Sequence, residues 1–433
     1  MNEAQRQEQL KQLMEDDSNI YSTGVPLIYR GETIRADVYR IPLDYLVYNR
    51  LNGRISSRVK AFERENHTLN VEDPADISII EGLLWGSNEA RNDRTMKDLV
   101  ANGQIRHGIV TANGVIIDGN RRASLLRRAY RERSKHKGWS TNDVERCRFF
   151  NAIILPQNAE DRDIQQLETT YQMGEDDKLD YNPIEKYLKC RDLIKVGFDV
   201  DQIASMMGEK TSTPINTWLE TLKVMDDYLA TLGYEEMYPM LDHYEDQFLS
   251  LQKGLQDLRK HAAIASTDWE YTDTDVDDLQ VIAFDYIRYG QEGKEFRRIC
   301  KPSKTDWAIF QSKSVWDSFK EEHEKTVDKV EEPDLDDEIA AHPDIDRVEI
   351  LRARDARWKK SVEDDFKQNL KYSVRKLDDK IDDAKPKVVL RKVRDMLAEI
   401  DTEQDGFLND PAVGDLVREI NSMTWRFKKL LGQ

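Results

Sequence analysis

Residues 108–133, GIVTANGVIIDGNRRASLLRRAYRER, change period in mid-stretch. Gly108–Thr111 and Val115–Asp118 are short apolar runs on either side of Asn113-Gly114, a pair that strongly favours a tight hairpin turn. Gly119 follows, a residue that permits tight backbone geometry and close approach. From Arg121 to about Arg133 the pattern is helical. A hairpin feeding a helix through a single glycine excludes an all-helical fold here and requires a sheet with helices on it. Phe149–Pro156 supplies another buried strand, and Val38–Ile55 reads as a strand passing into a loop at Asn49-Arg50 and a turn at Asn52-Gly53. Residues 56–107 read as mainly helical, with a stop near Asn102-Gly103.

The helix after Gly119 begins with Arg121 and Arg122. That is the electrostatically unfavourable end, because a helix N-terminus carries roughly half a positive charge and favours acids. An anion reverses the sign of the effect: unpaired N–H groups at a helix start bind phosphates, and guanidinium groups match their oxygens. Residues 121–148 hold ten Lys or Arg against three Asp or Glu, a basic island in a chain of net charge −18. Contact with a nucleotide or nucleic acid is therefore expected to be local, since a protein that coats DNA by bulk electrostatics is usually basic. The alternative is a set of solvated arginines on a short helix, for which arginine is well suited.

Past residue 157 the chain reads as helical. Asn182 is a candidate N-cap with Pro183 in the first helical position, and Gly197 ends that helix. Gly197–Leu232 reads as two helices about a short turn, the second starting at Ser212 or Thr213 with Pro214 in its first turn. Ala204 and Gly208 let the two helices meet. Ile215, Leu219 and Leu222 are placed inward, and Thr213, Asn216 and Thr217 outward, where with Lys210 they form a candidate DNA-contacting set. Six acids against two lysines in this stretch count against strong phosphate contact. Residues 328–349 read as an acidic linker with two prolines, and 350–433 as charge-alternating helices with Leu351, Trp358, Phe366, Leu370 and Val374 near a helical period.

Other signals limit the chemistry. Cys147, Cys190 and Cys300 are distant and unpaired by motif, so neither a disulfide framework nor a cysteine zinc site is expected, and a reducing cytoplasm is. No apolar run approaches the ~18 residues of a membrane span, so no membrane partner is expected. DTEQDGFLN (401–409) imitates a calcium loop, but Ala412 stands at its twelfth position, so a helix-linking loop is expected.

Three stretches in order resemble the ParB/sulfiredoxin superfamily: IPLDYLVYNR, then MKDLVANGQIRHGIVTANGVIIDGNRRASLLRRA, then the segment from Leu167 through NPIE to Leu229. The resemblance covers about residues 36–232. It implies an α+β ParB/sulfiredoxin-like domain at 36–157 after an arm at 1–35. A ParB-like helix-turn-helix domain at 158–235 would follow. A helical extension (236–327), the acidic linker (328–349) and a C-terminal helical domain (350–433) complete the expected organisation. It also implies CTP or ATP bound with Mg²⁺, with Gly119, Asn120, Arg121 and Arg122 on the phosphates. Gly103, Gln104 and Arg50 would line the same pocket, and Glu168 would face metal or phosphate. Asn120 stands where the family motif usually carries Glu, and Ser124 replaces its last arginine, so binding is expected ahead of hydrolysis. Asp118 is the candidate acid or base if the fold runs a phosphotransfer, as other branches of the superfamily do, and a turn-capping aspartate otherwise. The implied protein is a nucleotide-gated switch or clamp associated with DNA, of a kind common on mobile elements and nucleoid-associated in the cytoplasm. It is expected to pair as a homodimer or with a protein partner through its C-terminal helices. The alternatives are a ParB-fold enzyme (NTPase, phosphotransferase or nuclease) and an interaction scaffold with a degenerate pocket.

Overall fold

The hairpin turn forms as its residues dictate: Gly114 has φ 84°, and β4 (Gly108–Val110) and β5 (Val115–Asp118) pair antiparallel. In the computed structural model, which describes residues 1–50, 52–171 and 182–432, this hairpin lies inside a six-stranded mixed sheet. The other strands are β1 (Ile20–Tyr29), β2 (Glu32–Pro42), β3 (Val47–Tyr48) and β6 (Phe149–Ile154), in the order β1-β2-β6-β4-β5-β3. β6 runs parallel to β4 and antiparallel to β2, and β3 runs parallel to β5.

Alternation along the strands builds two cores. Val110, Ile116, Phe150 and Ala152 face one side, which α1 (Glu3–Met14), α2 (Ser56–Glu65), α3 (Pro74–Gly86), α4 (Glu89–Asn102) and α5 (Asn120–Arg131) cover. Ile109, Ile117 and Ile153 face the other, against β1 and α7 (Asp161–Thr169). This is the two-residue period of a sheet buried on both faces. Ala123, Leu126 and Ala129 put the apolar stripe of α5 on the sheet. A short α6 (Thr141–Arg146) leads into β6.

The expected boundary at residue 35 cuts through the β1–β2 hairpin, whose register runs from Ile20 opposite Tyr39 to Tyr29 opposite Glu32. Residues 1–35 are therefore part of the sheet layer and not an arm. Leu10 and Leu13 of α1 are buried in its core, and Arg6 is fixed by Glu72 at 2.7 Å. The helix is polar in sequence because it anchors through few side chains, Arg6, Leu10 and Leu13.

The rest is helical: α8 (Pro183–Lys195), α9 (Val200–Met206), α10 (Thr213–Thr231), α11 (Glu245–Arg259), α12 (Asp273–Tyr289), α13 (Gly293–Cys300), α14 (Lys313–Val327), α15 (Leu335–Ala341), α16 (Arg347–Ala398), α17 (Asp405–Asn409) and α18 (Pro411–Leu430). The start of α8 is as read, with Asn182 accepting from the Ile184 N–H and Pro183 in the first turn. One apolar core runs from Ile184 on α8 to Leu377 on α16. The expected divisions at 235, 327 and 349 therefore fall within a single body. The acidic stretch is held to that body by ion pairs: Glu332 meets Arg288 at 2.7 Å and Arg354 at 3.3 Å, and Glu338 meets Arg354 at 3.1 Å. Its negative charges look like a solvated linker in sequence because the arginines that neutralise them lie on α12 and α16. Pro386 stands inside α16, just past the part that packs, and 401–404 is a loop leading into α17.

α2 joins the two bodies. Val59 enters the sheet-side core and Ala61 the helical core, while Lys60 pairs with Asp192 at 2.9 Å and Glu65 with Arg347 at 2.8 Å. No described helix is long and apolar enough to cross a membrane.

A chain ending at residue 235 uncovers Tyr187, Leu188, Tyr228 and Leu229, all core residues whose partners include Phe248, Phe284 and Leu255. It is expected to aggregate in size-exclusion chromatography, whereas residues 1–381 elute as a folded species, because exposed apolar patches of this kind drive association.

Candidate functional site

Successive residues on a helix point about 100° apart and do not face one another. Arg121 and Arg122 accordingly separate. Arg122 turns back along the strand end, donating to Asp118 Oδ2 at 2.6 Å and to the carbonyls of Arg106 and His107. Asp118 is thereby the ion-pair partner of Arg122 one turn away. Half-buried His107 is held below its usual range by that burial and by Arg122. Arg121 turns the other way, donating to Thr95 Oγ1 on α4 at 3.0 Å, and reaches a separate cleft.

Gly119 is required where it stands. Its φ is 104°, and a Cβ there would lie 2.5 Å from the Phe150 ring. Asn120, 2% exposed, turns inward: its Nδ2 donates to the Ile116 carbonyl at 2.9 Å and its Oδ1 accepts from the Asn49 N–H at 2.9 Å. Asn49 Nδ2 donates to Glu168 Oε1 at 3.2 Å, and Lys189 Nζ donates to Glu168 Oε2 at 2.7 Å. The three stretches are thus brought together by a continuous chain of buried and part-buried hydrogen bonds.

This arrangement gives several of the expected site residues contacts within the fold. The Asn120 side chain is a brace between strand and loop and does not face the cleft. Gln104 clamps strand β6, accepting from the Asn151 N–H and donating to its carbonyl, each at 2.8 Å. Gly103, at φ 77°, ends α4. Arg50 pairs with Glu63. Magnesium takes oxygen ligands, but Glu168 is 2% exposed and both its oxygens are engaged, so it does not fit as a metal ligand. Among the described residues no group of three or more His, Cys, Asp or Glu side chains is arranged to hold a metal ion. Much of the basic island is also engaged internally: Arg127 donates to the carbonyls of Leu43 and Leu46, Arg131 pairs with Glu81, and Arg146 with Asp143. Lys210, Thr213 and Asn216 are exposed at the start of α10, while Thr217 is half-buried and donates to the Thr213 carbonyl. Residues 172–181, inside the third stretch, lie outside the described residues.

The cleft that Arg121 enters lies between the two bodies. Its described lining includes Arg54 and Arg58 at the start of α2, Arg91 on α4, Arg121 on α5, and Asn182 and Glu185 at the start of α8. Its volume is about 120 Å³, several times the ~30 Å³ share of a water and below the 300–1,000 Å³ of a pocket for a whole drug-sized ligand. It suits a phosphate-sized group. Glu185 is buried and accepts from both the N–H (3.1 Å) and the hydroxyl of Ser57, taking the place of a cap that Ile55 does not provide. Burial pushes its carboxyl up to about 7. Sequence reading missed Arg54, Arg58, Arg91 and Glu185 as site residues. Arg58 carries the same signal as Arg121, a base in the first turn of a helix without acids there. Arg91 carries no local signal and joins the cleft through tertiary packing.

No protein-family model matches the chain, and no curated protein matches it by sequence.

Two expectations separate brace from cleft. Asn120→Ala removes one buried and one part-buried hydrogen bond and should lower stability by ~2 kcal/mol in urea unfolding. For Glu185, the folded state keeps the proton up to about pH 7 while the unfolded chain loses it near the ordinary value of 4.5. Stability from this group is therefore full below that value and falls as pH rises towards 7. Glu185→Gln keeps an acceptor for Ser57 and removes this slope, so its unfolding free energy should match wild type at pH 4 and exceed it at pH 8, by up to ~3 kcal/mol.

Proposed function

We propose that this chain is a nucleotide-binding switch, taking the phosphates of a nucleoside triphosphate in the arginine-lined cleft between its sheet domain and its helical body. The observation that carries the reading is the convergence of Arg54, Arg58, Arg91 and Arg121, from three helix regions, on one small cleft of a protein with net charge −18. Guanidinium groups suit phosphate oxygens through planar paired donors. Among the described lining residues the acids are Glu185, whose carboxyl burial pushes up to about 7, and Asp242.

A ligand bridging these residues touches α4 and α5 of one body and the α2–α8 junction of the other. Binding there changes how the two engage, which is what a switch needs. The resemblance to ParB-like proteins favours CTP or ATP as the nucleotide. It also favours DNA as the partner being switched, with Lys210, Thr213 and Asn216 as the exposed contact set. The engagement of Asp118 by Arg122 and the burial of Asn120 favour binding over hydrolysis.

Calorimetric titration of CTP, ATP, GTP and UTP, with and without Mg²⁺, tests the reading. Wild type should bind at least one of them, and Arg121→Ala should weaken it by ten- to a hundredfold, the ~1.5–3 kcal/mol of a charged hydrogen bond. Arg122→Ala, which perturbs the Asp118 pair, should have the smaller effect. Absence of binding by all four nucleotides sinks the proposal and favours an interaction scaffold. The liganded protein is then titrated with duplex DNA at several salt concentrations, where a flat slope rules out phosphate contact.

A further inference from the structure

α18 buries none of its residues, yet it is strongly two-faced. Val413, Leu416, Ile420, Met423, Phe427 and Leu430 follow one another at intervals of 3, 4, 3, 4 and 3 residues. That is the seam of a coiled coil. Leu416, Met423, Phe427 and Leu430 are 57%, 44%, 48% and 84% exposed. A solitary helix of 20 residues is marginal in water, and an apolar stripe of this length marks an interaction surface. A second stripe, Val389, Val393 and Met396, is exposed on the part of α16 beyond Pro386.

The charges on α18 identify the occupant. Asp410, Asp415 and Glu419 lie at and near its start, with Arg418 among them, and Arg426, Lys428 and Lys429 lie near its end. Two copies running in the same direction would set acid beside acid and base beside base. Two copies running in opposite directions set the acidic half of each on the basic half of the other and oppose their helix dipoles. The apolar spacing reads the same when reversed, so the seam remains in register. Such a two-fold pairing is isologous and closes on itself.

We propose that α18 is the pairing surface of an antiparallel dimer of this chain. Val413 packs against the partner's Leu430, Leu416 against the partner's Phe427, and Ile420 against the partner's Met423. Glu419 lies beside the partner's Arg426 on either side of the two-fold axis. This pairing stands independently of the nucleotide reading.

Sedimentation equilibrium of the full chain tests it. Wild type should sediment as a dimer, and Phe427→Asp should raise the dissociation constant by roughly tenfold or more. Glu419→Arg should weaken the dimer, and adding Arg426→Glu should restore it, a rescue that loss of folding cannot mimic. The native cysteines are buried, so engineered ones report the direction. Val413→Cys with Leu430→Cys should cross-link on mild oxidation, and Val413→Cys alone should not. A monomer at all concentrations overturns the proposal, as does a dimer indifferent to Phe427→Asp. Cross-linking through Val413→Cys alone overturns the antiparallel arrangement. A monomer that sediments with anionic vesicles assigns the face to a membrane and overturns the dimer.

Discussion

The carboxylate of Glu168 ties together the three stretches around β3, α5 and α8. One oxygen accepts from Asn49 in the loop after β3, the other from Lys189 on α8, and Asn49 in turn holds Asn120 at the start of α5. Removing one member of a buried ion pair leaves an uncompensated charge at a cost of ~3–5 kcal/mol. The group is therefore structural in the strict sense. With Asn120 fixed inward, the next two side chains are directed to opposite sides of the helix start. Arg122 closes the strand end, and Arg121 faces the other body.

The relation between the bodies follows from α2. Its residues enter two cores, its charges pair with α8 and α16, and its first turn is capped by Glu185. Glu185 therefore holds a junction and lines a cleft at the same time. A carboxyl that keeps its proton to about pH 7 is a weak competitor for the arginines beside it.

The sequence made the local elements legible where single residues dictate conformation. Asn113-Gly114, Gly119 and Asn182-Pro183 placed the hairpin, the strand-to-helix step and the start of α8. Leu351, Trp358, Phe366 and Leu370 proved to be core positions of α16, read from their period alone. What escaped was whatever depends on partners from elsewhere. β1 was hidden by a polar helix before it, and the acidic stretch by arginines on α12 and α16. The cleft arises from four arginines brought in by three helix regions, and Arg121 alone stands in a motif legible in the sequence. Short motifs such as those that hold Asn120 and Gln104 record residue type and not direction. Both side chains are occupied by backbone groups of the sheet and its loops.

α16 spans 52 residues, and its side chains meet the helical core through Leu377 and Ile381 among those described. At 1.5 Å per residue it is a rod of roughly 78 Å, anchored along its first part and cantilevered beyond. Pro386 sits where the cantilever begins. A proline there withholds one backbone donor and crowds the preceding turn, so the rod is weakest at the edge of its support. A bending load on the outer arm is relieved at that joint, and the aromatic packing around Phe366 is spared the torque.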